Sequence, residues 1–217
     1  MTKTTLFLLT FLLMGFYAFG QKAQEIITPT FNDKYSEFVR QLEAGKTDID
    51  YRKFRESFIE SKQFLIASQK STELSTLEKE MYAQMHNSNY KEIINITKAM
   101  LSIDYTNILA HKILRQTYKI VGDTLNAKKH KTIELGLLFS IKDSGDGKTC
   151  ETAWHVIQIS EEYFILQMQG DKLLEQSIDN SGGLCDKMDV ETEEGNKDTY
   201  YFETSKVFEG YNKLGMK

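Results

Sequence analysis

The chain has 217 residues, of which 41% are hydrophobic, 12% aromatic and 27% charged, the composition of a globular protein and not of a disordered tail. A formal net charge of -4 leaves no basic excess to neutralise a phosphate backbone, which argues against nucleic acid as a partner. The single proline leaves no material for a proline-rich linker or a collagen-like segment.

Residues 1–20 read as a signal peptide. Lys3 precedes an apolar run from Leu6 to Phe19, broken only by Thr10 and Gly15, and Ala18 and Gly20 supply the small residues that a signal peptidase accepts. The run is well short of the roughly 20 residues needed to span a bilayer, so cleavage at Gly20–Gln21 is expected to leave no stable membrane anchor. No cysteine near that point could carry a lipid. The expected location is periplasmic or secreted.

From 21 to 148 the apolar residues recur at three- and four-residue spacing, as in Tyr35, Phe38, Val39 and Leu42, and later in Ala110, Ile113, Leu114, Thr117, Tyr118 and Val121. That spacing predicts helices. Two 34-residue windows, Leu74 to Asn107 and Ile108 to Ile141, each resemble a tetratricopeptide repeat, the second through Ala110, Leu114, Tyr118, Gly122-Asp123 and Ala127. Ile93 and Tyr105 depart from the repeat's usual alanine and proline, so a generic stack of helical hairpins stays open as the alternative.

From 149 to 217 short runs rich in β-branched and aromatic residues predict an antiparallel sheet, with strands at 153–159, 163–169, 173–178, 184–190 and 199–204. Ser160-Glu161-Glu162 reads as a solvated turn between the first two. A last helix is expected over 206–214, with Ser205 as its N-cap. Leu135, Leu137, Leu138 and Phe139 surround their helix on all sides and require cover from both the repeat and the sheet. The expected fold is therefore α+β, with tetratricopeptide-like hairpins packed on the sheet as a single compact unit.

Several patterns bear on chemistry. Gly147-Lys148-Thr149 suggests a phosphate loop, but Lys142 stands where that motif needs glycine and a strand follows where it needs a helix. Asp143 to Gly147 hints at a calcium loop, yet its third and fifth ligand positions are glycine, so a tight helix-to-strand turn is expected. His111 and His130 fall on the two helices of one hairpin, with His130 abreast of Arg115 and about one turn from His111, too far to share a metal comfortably. A buried, hydrogen-bonded role is expected for such a histidine. Cys150 and Cys185 match no metal spacing, and the sequence leaves them open between a disulfide and two small buried thiols. No catalytic motif is present in the sequence, so catalytic, cofactor and metal residues are all expected to be none.

Charge distribution points to binding. Lys112, Arg115 and Lys119 share one helical face, and the resemblance to a tetratricopeptide repeat implies a groove lined by Leu109, Lys112, Gln116 and Lys119. Such a groove suits a protein or an acidic peptide, including the chain's own acidic loop 189–198; a merely solvated face is the alternative. The expected function is a non-catalytic interaction module, with an enzyme or small-ligand binder using a site between Ser144 to Lys148 and the sheet as the second reading.

Tyr51-Arg52-x-Phe54-Arg55, Ala110-His111, Ala127-x-x-His130, Ser140-Ile141-x-x-Ser144-Gly145-Asp146-Gly147-Lys148, Glu161-Glu162-Tyr163, Gln176-Ser177 and Tyr201-Phe202 together resemble the domain of unknown function 4919, found mainly in exported proteins of Bacteroidota. The resemblance implies this fold and export, and it assigns no catalytic residue.

Overall fold

A computed structural model describes residues 25–215; the expected leader and its cleavage point lie outside the described residues. Among the described residues seven helices come first: α1 Lys34–Glu43, α2 Tyr51–Glu60, α3 Lys62–Gln69, α4 Ser71–His86, α5 Tyr90–Ile103, α6 Ile108–Ile120 and α7 Thr124–Lys142. Their starts are chemically marked. Asp33, Asp50, Ser61, Asn107 and Asp123 each accept a hydrogen bond from a backbone N–H of the first turn, the cap that otherwise unpaired helix donors require.

The two 34-residue windows each contain a helical hairpin, α4 with α5 and α6 with α7, and successive helices pack on one another. Gly122 turns the chain between α6 and α7 in the left-handed region at φ 81°, as its position predicts. Of the residues spaced for the buried face of α6, Ala110, Ile113, Leu114, Thr117 and Tyr118 are buried, Ala110 and Leu114 completely, whereas Val121 is exposed, because the helix ends at Ile120 and Val121 is its C-cap.

The second part differs from expectation in detail. A 3-10 turn at Cys150–Thr152 leads to β1 Trp154–His155, then α8 Ile159–Gln169, β2 Lys172–Asp179, β3 Cys185–Glu191, β4 Lys197–Glu203 and α9 Ser205–Lys213. The segment expected as a strand at 163–169 is therefore helical. Phe164, Ile165 and Leu166 are all buried, and a short continuous apolar run looks the same in a buried strand and in a helix covered on several sides. Glu161 and Glu162 occupy its first turn and both are buried, which corrects the solvated turn.

The sheet is mixed, in the order β1-β4-β3-β2. β2, β3 and β4 are antiparallel, with Gln176 opposite Met188 and Met188 opposite Tyr200, whereas β1 runs parallel to β4 with Trp154 opposite Phe202. The expected strand over 153–159 shrinks to two residues because α8 begins at Ile159. At the last helix Thr204, not Ser205, is the cap residue, and it makes no side-chain cap bond.

One continuous core joins the two parts. It runs from Phe54 and Phe58 through Leu114 and Ile141 to Trp154, Phe164, Met188 and Phe202. Side chains of this size each contribute roughly 1.5–3 kcal/mol when fully buried, so the helical array and the sheet stabilise each other. A smaller cluster holds Cys150, Ala153 and Cys185 against Tyr201. The two cysteines are disulfide-bonded, with Cα atoms 5.8 Å apart.

Candidate binding cleft

A buried ion pair fixes α8 on the helical array. Arg55 on α2 donates to Glu161 through Nε at 2.8 Å and through Nη2 at 2.6 Å, and both side chains are nearly inaccessible. The same guanidinium donates to the carbonyl of His155 at 3.1 Å, while Glu161 also accepts from the Ile157 backbone N–H at 2.8 Å. A charge this deep is tolerable only when it is paired and hydrogen-bonded: the bidentate contact engages two of the guanidinium's donors, the His155 carbonyl a third, and the Ser140 hydroxyl, at 3.4 Å, a fourth.

Beside the pair, Asp104 ends the α5 hairpin arm. Its carboxylate accepts from the Thr106 N–H, the Thr106 hydroxyl and the Gln158 amide, at 2.8, 2.6 and 3.0 Å. Burial raises its pKa, and those donors pull the other way. Together these bonds hold the loop before α8 against the turn before α6.

Above this floor lies an open cleft of roughly 540 Å³. Its walls are Glu78 and Tyr82 of α4, Asn107, Ile108 and Leu109 at the start of α6, and Ser160, Tyr163, Phe164 and Gln167 of α8. It shares Glu78, Gln158 and Ser160 with a more apolar groove of roughly 420 Å³ that continues past Phe64 and Leu74 to Val207 and Tyr211. Tyr82 and Tyr163 present rings to solvent at 37% and 45% exposure. The polar groups of the floor are committed to one another.

The expected groove residues part company here. Leu109 lines the cleft. Lys112 lies at its border, its ammonium 5.5 Å from the ring centre of Phe164, so α8 occupies part of the face that the repeat would leave open. Arg115 is drawn off to Glu134 of α7, a buried carboxylate, through a two-pronged ion pair. Gln116 is half-buried and Lys119 is exposed. The acidic loop 189–198 makes other bonds: Asp198 pairs with Lys148 at 2.8 Å and Asp189 with Thr199.

The loop 144–148 is the tight helix-to-strand turn read from the sequence. Ser144 accepts from the His155 N–H, Asp146 accepts from the Lys148 N–H and the Thr152 hydroxyl, and the Tyr201 N–H donates to the Gly147 carbonyl at 2.9 Å. Gly147 has φ 70°, and a Cβ there would come within 2.7 Å of the Trp154 indole, so the loop lies directly on β1. Lys142 stacks on the other part of that environment, its ammonium 3.3 Å from the Trp154 ring centre, and burial lowers its pKa to about 8.

The histidines require a correction. His111 and His130 meet, with Nδ1 2.9 Å from Nδ1, although their backbones are a turn out of step. Two imidazoles inclined toward each other span that offset, just as Arg115 spans the opposite offset to Glu134. Both rings are buried, as expected.

Glu162, expected in a solvated turn, is the most deeply perturbed carboxyl of α8. Its carboxyl is completely buried and neither oxygen has a hydrogen-bond partner, and burial, with Asp186 and Glu161 nearby, raises its pKa to about 9.

Helical hairpins locked by a buried Arg–Glu pair onto a small mixed sheet, with an open cleft at the seam, define the class of this protein. The chain belongs to the family described as Domain of unknown function (DUF4919), whose model matches residues 47–213, including Arg55, Asp104, Gln158 and Glu161. No curated protein and no solved structure matches it.

Proposed function

We propose that the protein is an exported, non-catalytic interaction module that holds a short segment of another protein in the cleft between α4, the start of α6 and α8. The observation carrying this reading is the cleft itself: two exposed tyrosine rings above a polar floor whose groups are already paired. Exposed aromatic anchors beside satisfied polar groups suit recognition, since rings supply contact area at low entropic cost. An acidic residue of the bound segment has a partner in Lys112 at the cleft border.

The tetratricopeptide-like stack is part of the proposal, with α8 filling a portion of the groove that such repeats use for ligands. So is location in the periplasm or outside the cell, after removal of residues 1–20. The Cys150–Cys185 disulfide supports that location, because such bonds persist in oxidising compartments. Tagged protein should retrieve its partner from an envelope extract. The double variant Tyr82→Ala/Tyr163→Ala should fold normally and lose that partner; undiminished capture would contradict the cleft as the binding site.

A further inference from the structure

The turn between α6 and α7 carries side chains that a surface turn does not need. In Ile120-Val121-Gly122-Asp123-Thr124-Leu125 three large apolar residues stand within a short stretch, Ile120, Val121 and Leu125 being 60%, 48% and 78% exposed. Surface turns are built from polar residues and glycine, and apolar side chains scattered singly over a surface call for no explanation. Here Leu125, the most exposed large hydrophobic side chain among the described residues, has two others beside it. None of the three belongs to the core, and none lines the clefts described above.

The charges around this tip are mostly of one sign. Residues 119–131 hold four lysines and a single acid. The acid, Asp123, is engaged by the backbone N–H and the side-chain amide of Asn126 at 3.0 and 2.7 Å, and Lys129 is paired with Glu43 at 2.8 Å. Lys119, Lys128 and Lys131 are exposed and have no ion pair among the described residues. At a rise of 1.5 Å per residue, Lys128 lies about 6 Å and Lys131 about 10 Å along α7 from its first residue, while Lys119 adjoins Ile120 at the end of α6. Leu125 and Lys128, three positions apart, share one side of α7.

We propose that the α6–α7 tip docks on the surface of an anionic lipid bilayer, with Ile120, Val121 and Leu125 entering the boundary between headgroups and acyl chains while Lys119, Lys128 and Lys131 meet the phosphates. Buried apolar area and attraction to anionic lipid are the two contributions that hold a protein at such an interface. A tip that enters by about 5–10 Å brings the lysines to headgroup level, within reach of their flexible stems. A protein partner suits this surface less well, because a stable protein interface takes roughly 800 Å² from each side and a two-helix turn supplies only a fraction of that. Ile108 in the binding cleft and Ile120 at the tip lie at opposite ends of α6, about 18 Å apart, so a docked tip leaves the cleft open.

The test uses the chain from Gln21, because the apolar run before it would enter lipid by itself and the core lies wholly beyond it. The protein should co-sediment with vesicles of phosphatidylethanolamine and phosphatidylglycerol and bind phosphatidylcholine vesicles at least tenfold more weakly. Binding should weaken as salt rises from about 0.1 M to about 1 M and charges are screened. Ile120→Ser/Leu125→Ser and Lys119→Gln/Lys128→Gln/Lys131→Gln should each lose at least tenfold in binding with unchanged circular dichroism, whereas Ile178→Ser, at a side chain 62% exposed on β2, should lose nothing. In Leu125→Trp, brominated lipid should quench the indole at position 125, while in the wild type the buried Trp154 stays unquenched. The proposal is overturned if the wild type ignores the anionic vesicles, which would turn the tip over to a protein partner, or binds phosphatidylcholine equally well. Undiminished binding of either tip variant, an equal loss in Ile178→Ser, or an unquenched indole at position 125 would overturn it as well.

Discussion

Replacing Glu162 by glutamine should stabilise the protein, an unusual outcome for a substitution at a completely buried position. The folded carboxyl keeps its proton up to a pKa of about 9, against an ordinary value of 4.5. The unfolded chain therefore releases a proton above pH 4.5 that the folded chain retains, and stability falls as pH rises from 4.5 to 9. At about 1.4 kcal/mol per pH unit, the loss at pH 7 is about 3 kcal/mol. Glutamine keeps the shape, cannot ionise, and can donate its amide to Asp186. Glu162→Gln should thus exceed the wild type by about 3 kcal/mol at pH 7, or roughly 6–12 °C in Tm for a chain of this size. The gain should widen toward pH 9 and vanish below pH 4.5. Urea unfolding of both proteins, followed by circular dichroism across that range, measures the difference directly. A difference independent of pH, or a variant less stable than wild type at pH 8, would refute the reasoning.

Removing Arg55 alone, as Arg55→Met, should cost about 3–5 kcal/mol, because Glu161 is left charged and buried; Arg55→Met/Glu161→Met should recover part of that loss in denaturant melts. The histidine pair acts in the acid range: with folded pKa values of about 3 and about 2 against 6.5, stability should decline as pH falls below 6.5, and a His111→Phe/His130→Phe chain should decline less steeply. The disulfide closes a loop across 35 residues of sequence, so Cys150→Ser/Cys185→Ser should lower stability by about 3–4 kcal/mol, read as a shift in the urea midpoint.

Helix periodicity made the α-helical part legible: Tyr35, Phe38, Val39 and Leu42 are buried on α1 as their spacing predicts, and Gly122 turns the chain where the hairpin requires it. α8 was not legible, because its amphipathic signal vanishes when apolar residues and two buried glutamates share nearly the whole circumference. The floor of the cleft was hidden for another reason. Arg55 and Glu161 are separated by 106 residues, and Gln158 reaches Asp104 across 54, so no local spacing could pair them. The basic stripe shows the converse failure. Lys112, Arg115 and Lys119 do share a helical face, but neighbouring helices supply Phe164 to the first and Glu134 to the second, which a single helix cannot foretell.

The proposed binding cleft is tested most directly by site-specific photocrosslinking in the native cell envelope, with a benzoylphenylalanine placed in turn at Tyr163, Tyr82 and Lys119. Crosslinks from Tyr163 and Tyr82 to the same protein, with none from Lys119, are the result this account predicts. That protein captured from Lys119 alone, or no adduct from either tyrosine position, would contradict it.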